Sequence, residues 1–408
     1  MQSLPINPDI PSHHFAIVTP WYGHQFGGAE KFVKQLAEHM HQSGYSVEVL
    51  TTACSSPYVD WSTNDLEVGT FEINGIKVQR FPVDQRDADR YAERYRELLR
   101  AEQSAISSDI EHDLIANSIN SSQLCNYIEQ HAGEHLWIFA PYMYGTTIQG
   151  VKRIPDRSFI FPCLHDEPMA YLHCIKDMFS SVRGVLCLSA PEKILIERLY
   201  GLSPDKVRFI GCGIEKTAPG KPERFRSSHS IQDDYFIYIG KKDRGKNLHE
   251  LIRLFDQYIK DTRRRDKLVL IGPGELRWVC EQEQSSNIID LGIVEDEQTK
   301  NDAIAGSIAL CHPSVKESFS IVIMEAWLQE RPVVVDYAGN VTRDHCERAN
   351  GGLFYRNYWE FYECLELLSS HPEIGNQLGK QGKHYVVKEF SRDAVLARFA
   401  HAVKDMFS

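Results

Sequence analysis

Short apolar runs alternate along this chain with longer stretches in which apolar residues recur every three or four positions. "FAIVT" (15–19) is the first run and predicts a strand. A loop containing glycines, "PWYGHQFGG", follows it. Ala29, Val33, Leu36, Ala37 and Met40 then recur at helical spacing, with Gly44 placed to end the helix. "YSVEVLTT" (45–52) is the next strand. The glycine loop therefore falls at the carboxyl end of the first strand, where open α/β sheets bind ligands. Gly23, Gly27 and Gly28 lack the G-x-G-x-x-G spacing, which disfavours a nicotinamide-dependent enzyme.

"FEINGIKVQRF" (71–81) alternates around Asn74-Gly75 and predicts a hairpin. Residues 87–131 are polar and predicted helical. Strands are expected again at "LWIFAP" (136–141), "SFIFP" (158–162), "GVLCLS" (184–189) and "VRFIG" (207–211). The composition then breaks. "EKTAPGKPERFRSSHSIQDD" (215–234) is rich in Pro, Ser and charge and predicts a linker. A second series starts at "YFIYIG" (235–240) and continues through "LVLIG" (268–272), "NIIDLG" (287–292), "SIALCHPS" (307–314) and "RPVVVD" (331–336). Helical patterns separate these strands, as parallel crossovers require. From Ser391 a last helix carries Val395, Phe399, Val403 and Met406 on one face. The expected architecture is α/β: two Rossmann-like, doubly wound domains, 1–214 and 235–390, facing a central cleft, with the 391–408 helix packing back towards the first.

A chain of 408 residues fits two such cores better than one. Its 42% apolar and 25% charged residues are those of a folded globular protein. The net charge of −11 argues against nucleic acid as a partner, because that binding rests on Lys and Arg neutralising phosphates. "MQSLPINPDIPSHH" has no basic segment followed by an apolar core, so no secretory signal is read, and no apolar run is long enough to span a bilayer. Ten cysteines without a C-x-x-C pair read as reduced thiols of a cytoplasmic protein. "LHDEP" sets His165, Asp166 and Glu167 in a row, but neighbours rarely converge on one metal, and none is expected.

Candidate chemistry gathers in "KESFSIVIMEAW" (316–327), where Glu317 and Glu325 bracket seven mostly apolar or hydroxyl-bearing residues. A carboxylate inside an apolar run should be paired or should face a cleft. With a helix starting near Ser318 to Ser320, its free amides and dipole form a receptor for phosphate. Glu317 would stand at that mouth, and Glu325 about two turns on, roughly 10 Å along the axis. A nucleoside-diphosphate sugar has this layout: a sugar, two phosphates and a ribose diol. The plainer reading makes Glu317 an electrostatic cap and Glu325 a structural ion pair. "IGKKDRGKN" adds Lys241, Lys242, Arg244 and Lys246 after a strand, well placed to neutralise a diphosphate.

Together these segments resemble the retaining glycosyltransferases of family 4, which have the GT-B fold, over nearly the whole chain. "GGAEKFVKQLAEHMHQSGYSVEVLTT" resembles the family's first glycine loop and helix, "IGKKDRGKN" its basic turn, "KESFSIVIMEA" its E-x7-E motif and "RPVVV" the strand that follows. The resemblance implies that Lys241, where the family commonly has arginine, and Lys246 hold the donor diphosphate. It gives Glu317 the hydroxyls of the transferred sugar and Glu325 the ribose, with the amides of Ser318, Phe319 and Ser320 completing the phosphate site. Gly27 and Gly28 would let their loop approach the phosphates when the cleft closes, and His165 would lie near the sugar. "CGIE" (212–215) departs from the family's Asn-Gly-Val-Asp. The implied activity is transfer of a sugar from a nucleotide-diphosphate sugar to a glycan or lipid-linked acceptor, without cofactor, in surface polysaccharide or glycoconjugate assembly. It would be cytoplasmic, with room for peripheral contact at the inner face of the membrane. Two other readings stay open: a sugar-nucleotide epimerase or other GT-B enzyme, and a non-catalytic nucleotide-sugar binding subunit.

Overall fold

Two separate parallel sheets account for the alternating rhythms of the chain. The computed structural model describes residues 14–23, 27–102, 106–278 and 286–407. The opening segment before His14 and residues 24–26 of the glycine loop lie outside the described residues. The chain divides into one unit of residues 1–213 with 392–408 and a second of 214–391.

The first unit holds strands β1 (His14–Val18), β2 (Ser46–Thr52), β3 (Gly69–Ile73), β4 (Ile76–Phe81), β5 (His135–Phe139), β6 (Ser158–Ile160), β7 (Gly184–Cys187) and β8 (Val207–Phe209). Their order is β3-β4-β2-β1-β5-β6-β7-β8. All pairs are parallel except β3 with β4, the hairpin expected at Asn74-Gly75. Both turn residues take positive φ, 53° and 80°, as a tight two-residue turn between twisted strands demands. Central strands such as β5 are buried at every position, which explains why they read as unbroken apolar runs. The helix Gly28–Gln42 buries Phe32, Val33, Leu36, Ala37, His39 and Met40. Residues 87–131 carry the helices Ala88–Arg100, Ser108–Ala116 and Ser122–Gln130, each started by an Asp or Ser whose side chain accepts a backbone N–H.

The last helix, Arg392–Phe407, buries Val395, Phe399 and Val403, whereas Met406 is only half-buried. Phe399 packs 5.6 Å from the Phe15 ring and 6.4 Å from Phe161, and the Arg398 guanidinium donates to the Ile210 carbonyl at 2.8 Å.

The second unit orders its strands β11-β10-β9-β12-β13-β14, all parallel. They are β9 (Tyr235–Ile239), β10 (Lys267–Ile271), β11 (Ile288–Asp290), β12 (Leu310–His312), β13 (Val333–Asp336) and β14 (Gly352–Tyr355). The apolar run of "KESFSIVIMEAW" forms the helix Ile321–Leu328, starting later than expected. Its Trp327 is fully buried and donates from Nε1 to the Gly351 carbonyl at 2.8 Å. The stretch expected as a linker instead packs within this unit. It contains the helix Pro222–Ser228, buries Phe225, and ties Arg224 and the Lys221 amide to buried Asp302. The Arg224 guanidinium holds the Asp302 carboxyl down to about 2. Polar composition hid this because one buried aromatic and one ion pair anchor the segment.

Phe399→Ala should destabilise the first unit by about 3–5 kcal/mol, the cost of deleting a core aromatic. Urea denaturation followed separately on the two units should show the loss in the first and leave the second unchanged.

Candidate functional site

In the second unit, charged side chains collect at the carboxyl ends of β9 and β12. Beyond β9 the basic turn splits its lysines between inside and outside. Lys242 turns inward, 1% exposed, and pairs with Asp290 of β11, so it is a structural residue and not part of a phosphate cluster. Lys241 stays half open to water, 3.1 Å from Asp243. Asp243 also accepts the Lys246 backbone N–H at 2.8 Å and shapes the turn. Lys246 then reaches across to Glu317, Nζ to Oε1 at 2.7 Å.

Glu317 lies on the loop after β12, ahead of the helix, with its side chain 14% exposed. Its Oε1 is also 3.3 Å from Nε2 of His312, and that nitrogen is 3.2 Å from the Ser320 hydroxyl. Burial works to raise the Glu317 carboxyl, but the Lys246 ammonium and His312 outweigh it and hold the group well below the usual carboxylate range. Glu317 is therefore a charged acceptor shared by two donors, on the loop just ahead of the helix.

Ser318 is half-buried, and Phe319 buries its ring against His345 and Phe390, at 5.1 and 4.9 Å. The Phe319 side chain is core, which leaves only its backbone for a ligand. Ser320 has φ 71° at the helix cap, and its hydroxyl bonds His312 rather than a helix-start amide. A non-glycine residue in this region costs roughly 1–3 kcal/mol, and such strain is typical of functional sites. Glu325, 6% exposed, sits in the second helical turn with Oε1 3.2 Å from Lys300. The plainer reading of Glu325 as an ion-paired residue thus describes part of its environment.

In the first unit, Gly27 caps the helix Gly28–Gln42 with extended backbone. A Cβ on Gly27 would lie 2.8 Å from Oε2 of Glu30, whereas one on Gly28 would meet nothing within 4 Å. The Gly27 and Glu30 amides are therefore engaged by the chain's own Glu30, whose close approach uses the space a Cβ on Gly27 would fill, whereas Gly28 faces open space. Burial pushes the Glu30 carboxyl up, against the Glu30 and Gly27 amides.

His165 follows β6, with its side chain 30% exposed and Nδ1 3.4 Å from Oε1 of Glu167. The same oxygen accepts the Tyr142 hydroxyl at 2.9 Å. Just ahead, the Leu164 amide donates to buried Glu192 at 2.6 Å, and the Leu188 amide donates to the other Glu192 oxygen at 2.6 Å. Burial pushes the Glu192 carboxyl up to about 8, against these backbone donors. Ser189 and Glu192 form the S-x-x-E capping pattern of the helix Ala190–Tyr200, a signal the sequence reading did not use. His312, Glu30 and Lys300 escaped the sequence reading, and Glu167 entered it only as a metal ligand that was set aside. His312 carried a signal: it closes a strand next to an acid-bearing loop.

Residues 233–370, inside the second unit, match the family described as Glycosyl transferases group 1. An uncharacterized glycosyltransferase of Methanocaldococcus jannaschii is 23% identical over 348 residues, 80% of each chain. A D-inositol 3-phosphate glycosyltransferase of Kribbella flavida is 23% identical over 262 residues, 59% of this chain and 61% of that one. Among solved structures, sucrose-phosphate synthase of Thermosynechococcus elongatus aligns with TM-score 0.71 at 15% identity, over 97% of this chain and 99% of that one. Anabaena HepE in complex with UDP-glucose aligns with TM-score 0.71 at 13% identity, over 96% and 99%. The fold is that of GT-B enzymes, and the family match with these relatives supports a glycosyltransferase of the GT-B type.

The depressed Glu317 carboxyl gives the second unit stability that is full above its ordinary value of 4.5 and is lost as pH falls through the lower folded value. Lys246→Met removes the main counter-charge. It should cost roughly 1–3 kcal/mol, towards the low end because Lys246 is a third open to water, and should move the acid loss to higher pH. Melting curves between about pH 2 and 6 would read both effects; an unchanged acid limb would mean that Lys246 does not hold Glu317 charged.

Proposed function

We propose that this glycosyltransferase of the GT-B type moves a sugar from a nucleotide-diphosphate sugar to an acceptor hydroxyl with retention at the anomeric carbon. The observation that carries the reading is the Lys246–Glu317–His312 group, with a strained helix start at Ser320, at the carboxyl ends of β9 and β12. A diphosphate needs cations and aligned amides, and a sugar needs buried acceptors for its hydroxyls. This group, with the amides that follow Glu317, supplies both at the ends of two neighbouring strands. Lys241 and Lys246, with the amides of Ser318, Phe319 and Ser320, would take the diphosphate. Glu317 would accept sugar hydroxyls, and Glu325, steadied by Lys300, would accept the ribose diol.

In the reaction the bond from the anomeric carbon to the diphosphate oxygen breaks as the acceptor oxygen bonds to the same face. The leaving phosphate takes the acceptor proton. Negative charge grows on the diphosphate, where Lys241, Lys246 and the helix-start amides stabilise it more strongly than in the ground state. That supply of positive charge makes a metal ion dispensable in this reading. His165, oriented through Glu167 and the Glu192-anchored loop, would serve the sugar side. No helix of the described residues is long and apolar enough to cross a membrane; we assign the work to the cytoplasm, on a glycan or lipid-linked acceptor of surface polysaccharide assembly.

Thermal melting with UDP, GDP, ADP and CDP and their sugar conjugates, in EDTA, tests the donor site, with UDP-glucose first because the HepE structure holds it. The cognate nucleotide should raise the melting temperature, by the equivalent of about 2.7 kcal/mol at a hundredfold excess over Kd. The shift should disappear in Lys246→Ala and Glu325→Ala. No shift with any of these nucleotides would defeat the reading.

A further inference from the structure

Outside the residues assigned above, the first unit carries a group of aromatic rings at the carboxyl ends of its strands. Trp21 follows β1, Trp61 lies on the loop after β2, Tyr144 follows β5, and Tyr91 and Tyr95 lie on the helix Ala88–Arg100 that comes after β4. Trp21 is buried and supports the others from below, 4.9 Å from Tyr144 and 6.0 Å from Trp61. Trp61 stands 5.2 Å from Tyr91 and 5.7 Å from Tyr144, and Tyr91 stacks on Tyr95 at 6.1 Å with planes 6° apart. Trp61, Tyr91, Tyr95 and Tyr144 are all half-buried, and the Arg86 guanidinium lies over the Trp61 and Tyr91 rings.

This group is apolar in its faces and polar at its edges. The hydroxyls of Tyr91, Tyr95 and Tyr144 have no hydrogen-bond partner among the described residues. Trp61 spends its N–H on the Pro57 carbonyl at 3.2 Å, so its role is its ring. Glu30, Glu167 and the Arg86 guanidinium all act on these rings. Burial first, then Tyr95 and the Glu167 carboxylate, push the Tyr91 phenol up to about 12, against Arg86. Burial, then Glu30, with Glu167 among the further causes, raises the Tyr144 phenol well above its ordinary value. The cation in contact is Arg86, 4.7 Å from the Trp61 ring centre, and it is already paired with Asp60 at 2.9 Å and with the Asn117 carbonyl at 3.2 Å. Oε1 of Glu167 is taken by Tyr142 and His165, and Oε2 has no protein partner among the described residues.

A pyranose ring matches such a surface: one face of C–H groups stacks on aromatic rings, and its rim of hydroxyls needs acceptors and donors. A phosphate or carboxylate on the sugar would meet Glu30 and Glu167, and Arg86, the cation in contact with the rings, is already paired with Asp60. We propose that Trp61, Tyr91, Tyr95 and Tyr144, with Glu167, bind one uncharged sugar ring of the acceptor, and that this platform rejects phosphorylated sugars. The proposal rests on the transferase reading for the word acceptor, but binding itself can be measured without turnover. It also separates this chain from the D-inositol 3-phosphate relative, whose name states a phosphorylated substrate.

The test is saturation-transfer NMR and tryptophan-fluorescence titration of the whole chain. The probes are the methyl glycosides of glucose, galactose, mannose and N-acetylglucosamine, the disaccharides maltose and lactose, and glucose 6-phosphate and mannose 6-phosphate. At least one uncharged probe should bind in the range up to about 10 mM and exceed the phosphorylated sugars. Preference for a disaccharide over its methyl glycoside would mark the end of a glycan as the source; equal binding would mark a free sugar. Trp61→Ala and Tyr91→Ala should each weaken binding roughly tenfold, whereas Tyr91→Phe, which keeps the ring, should weaken it less. Glu167→Gln should narrow the preference for uncharged over phosphorylated sugar, a readout that loss of folding would not produce. The nucleotide-induced melting shift serves as the folding control for every variant. Binding of no uncharged probe, stronger binding of a phosphorylated one, or unchanged affinity in both alanine variants overturns the platform. A nucleotide shift without sugar binding leaves the transferase reading standing and removes the platform; sugar binding without a nucleotide shift does the reverse.

Discussion

A parallel sheet covered on both faces leaves its strand ends as the place where polar groups can meet without being buried unpaired. Both sheets of this protein obey that constraint, and its chemistry follows from it. In the second unit the loops after β9 and β12 bring Lys246, Glu317 and His312 within hydrogen-bonding reach. In the first, the loops after β1, β2, β5 and β6 bring up Glu30, His165, Glu167 and the aromatic rings. Central strands such as β5, β9 and β10 carry mostly apolar side chains.

The pairing of Lys246 with Glu317 shows how such a site is kept ready. A carboxylate 14% exposed would lose its charge unless a cation stood beside it, and neutral carboxyl is a weaker acceptor for sugar hydroxyls. Lys246 supplies that cation while one third of its side chain remains open to a ligand. The arrangement also explains why the basic turn is not uniformly basic in effect. Lys242 is spent on Asp290 inside the fold, whereas Lys241, beside Asp243, stays half open to water.

The first unit handles its acids differently. Glu192 sits fully inside, and its two oxygens hold the amides of Leu164 and Leu188, which fixes the loop that presents His165. Glu30 folds over the start of its own helix. Glu167 is the one in contact with both a histidine and a tyrosine hydroxyl. Three carboxylates in similar sequence surroundings therefore have three jobs: a loop anchor, a helix cap and a hydrogen-bonding edge beside aromatic rings.

Much of this was written in the chain itself. Period-two and period-3.6 apolar patterns marked thirteen of the strands, the Asn74-Gly75 hairpin and the first and last helices, because these depend on local geometry and on which side chains must leave water. Glu317, Lys246 and Glu325 stood out because charge is conspicuous inside or beside an apolar run. The edge strand β14 was missed, being four residues long and mostly half-buried, and so was the packing of 215–234, which turns on Phe225 and Asp302 lying far apart in sequence. Which lysine faces inward, that His312 shares the Glu317 carboxylate, that Phe319 is core, and that Trp61, Tyr91, Tyr95 and Tyr144 share one surface were decided by the tertiary structure alone. Those facts are distances between residues from separate loops, and strand order, not local sequence, sets which loops become neighbours.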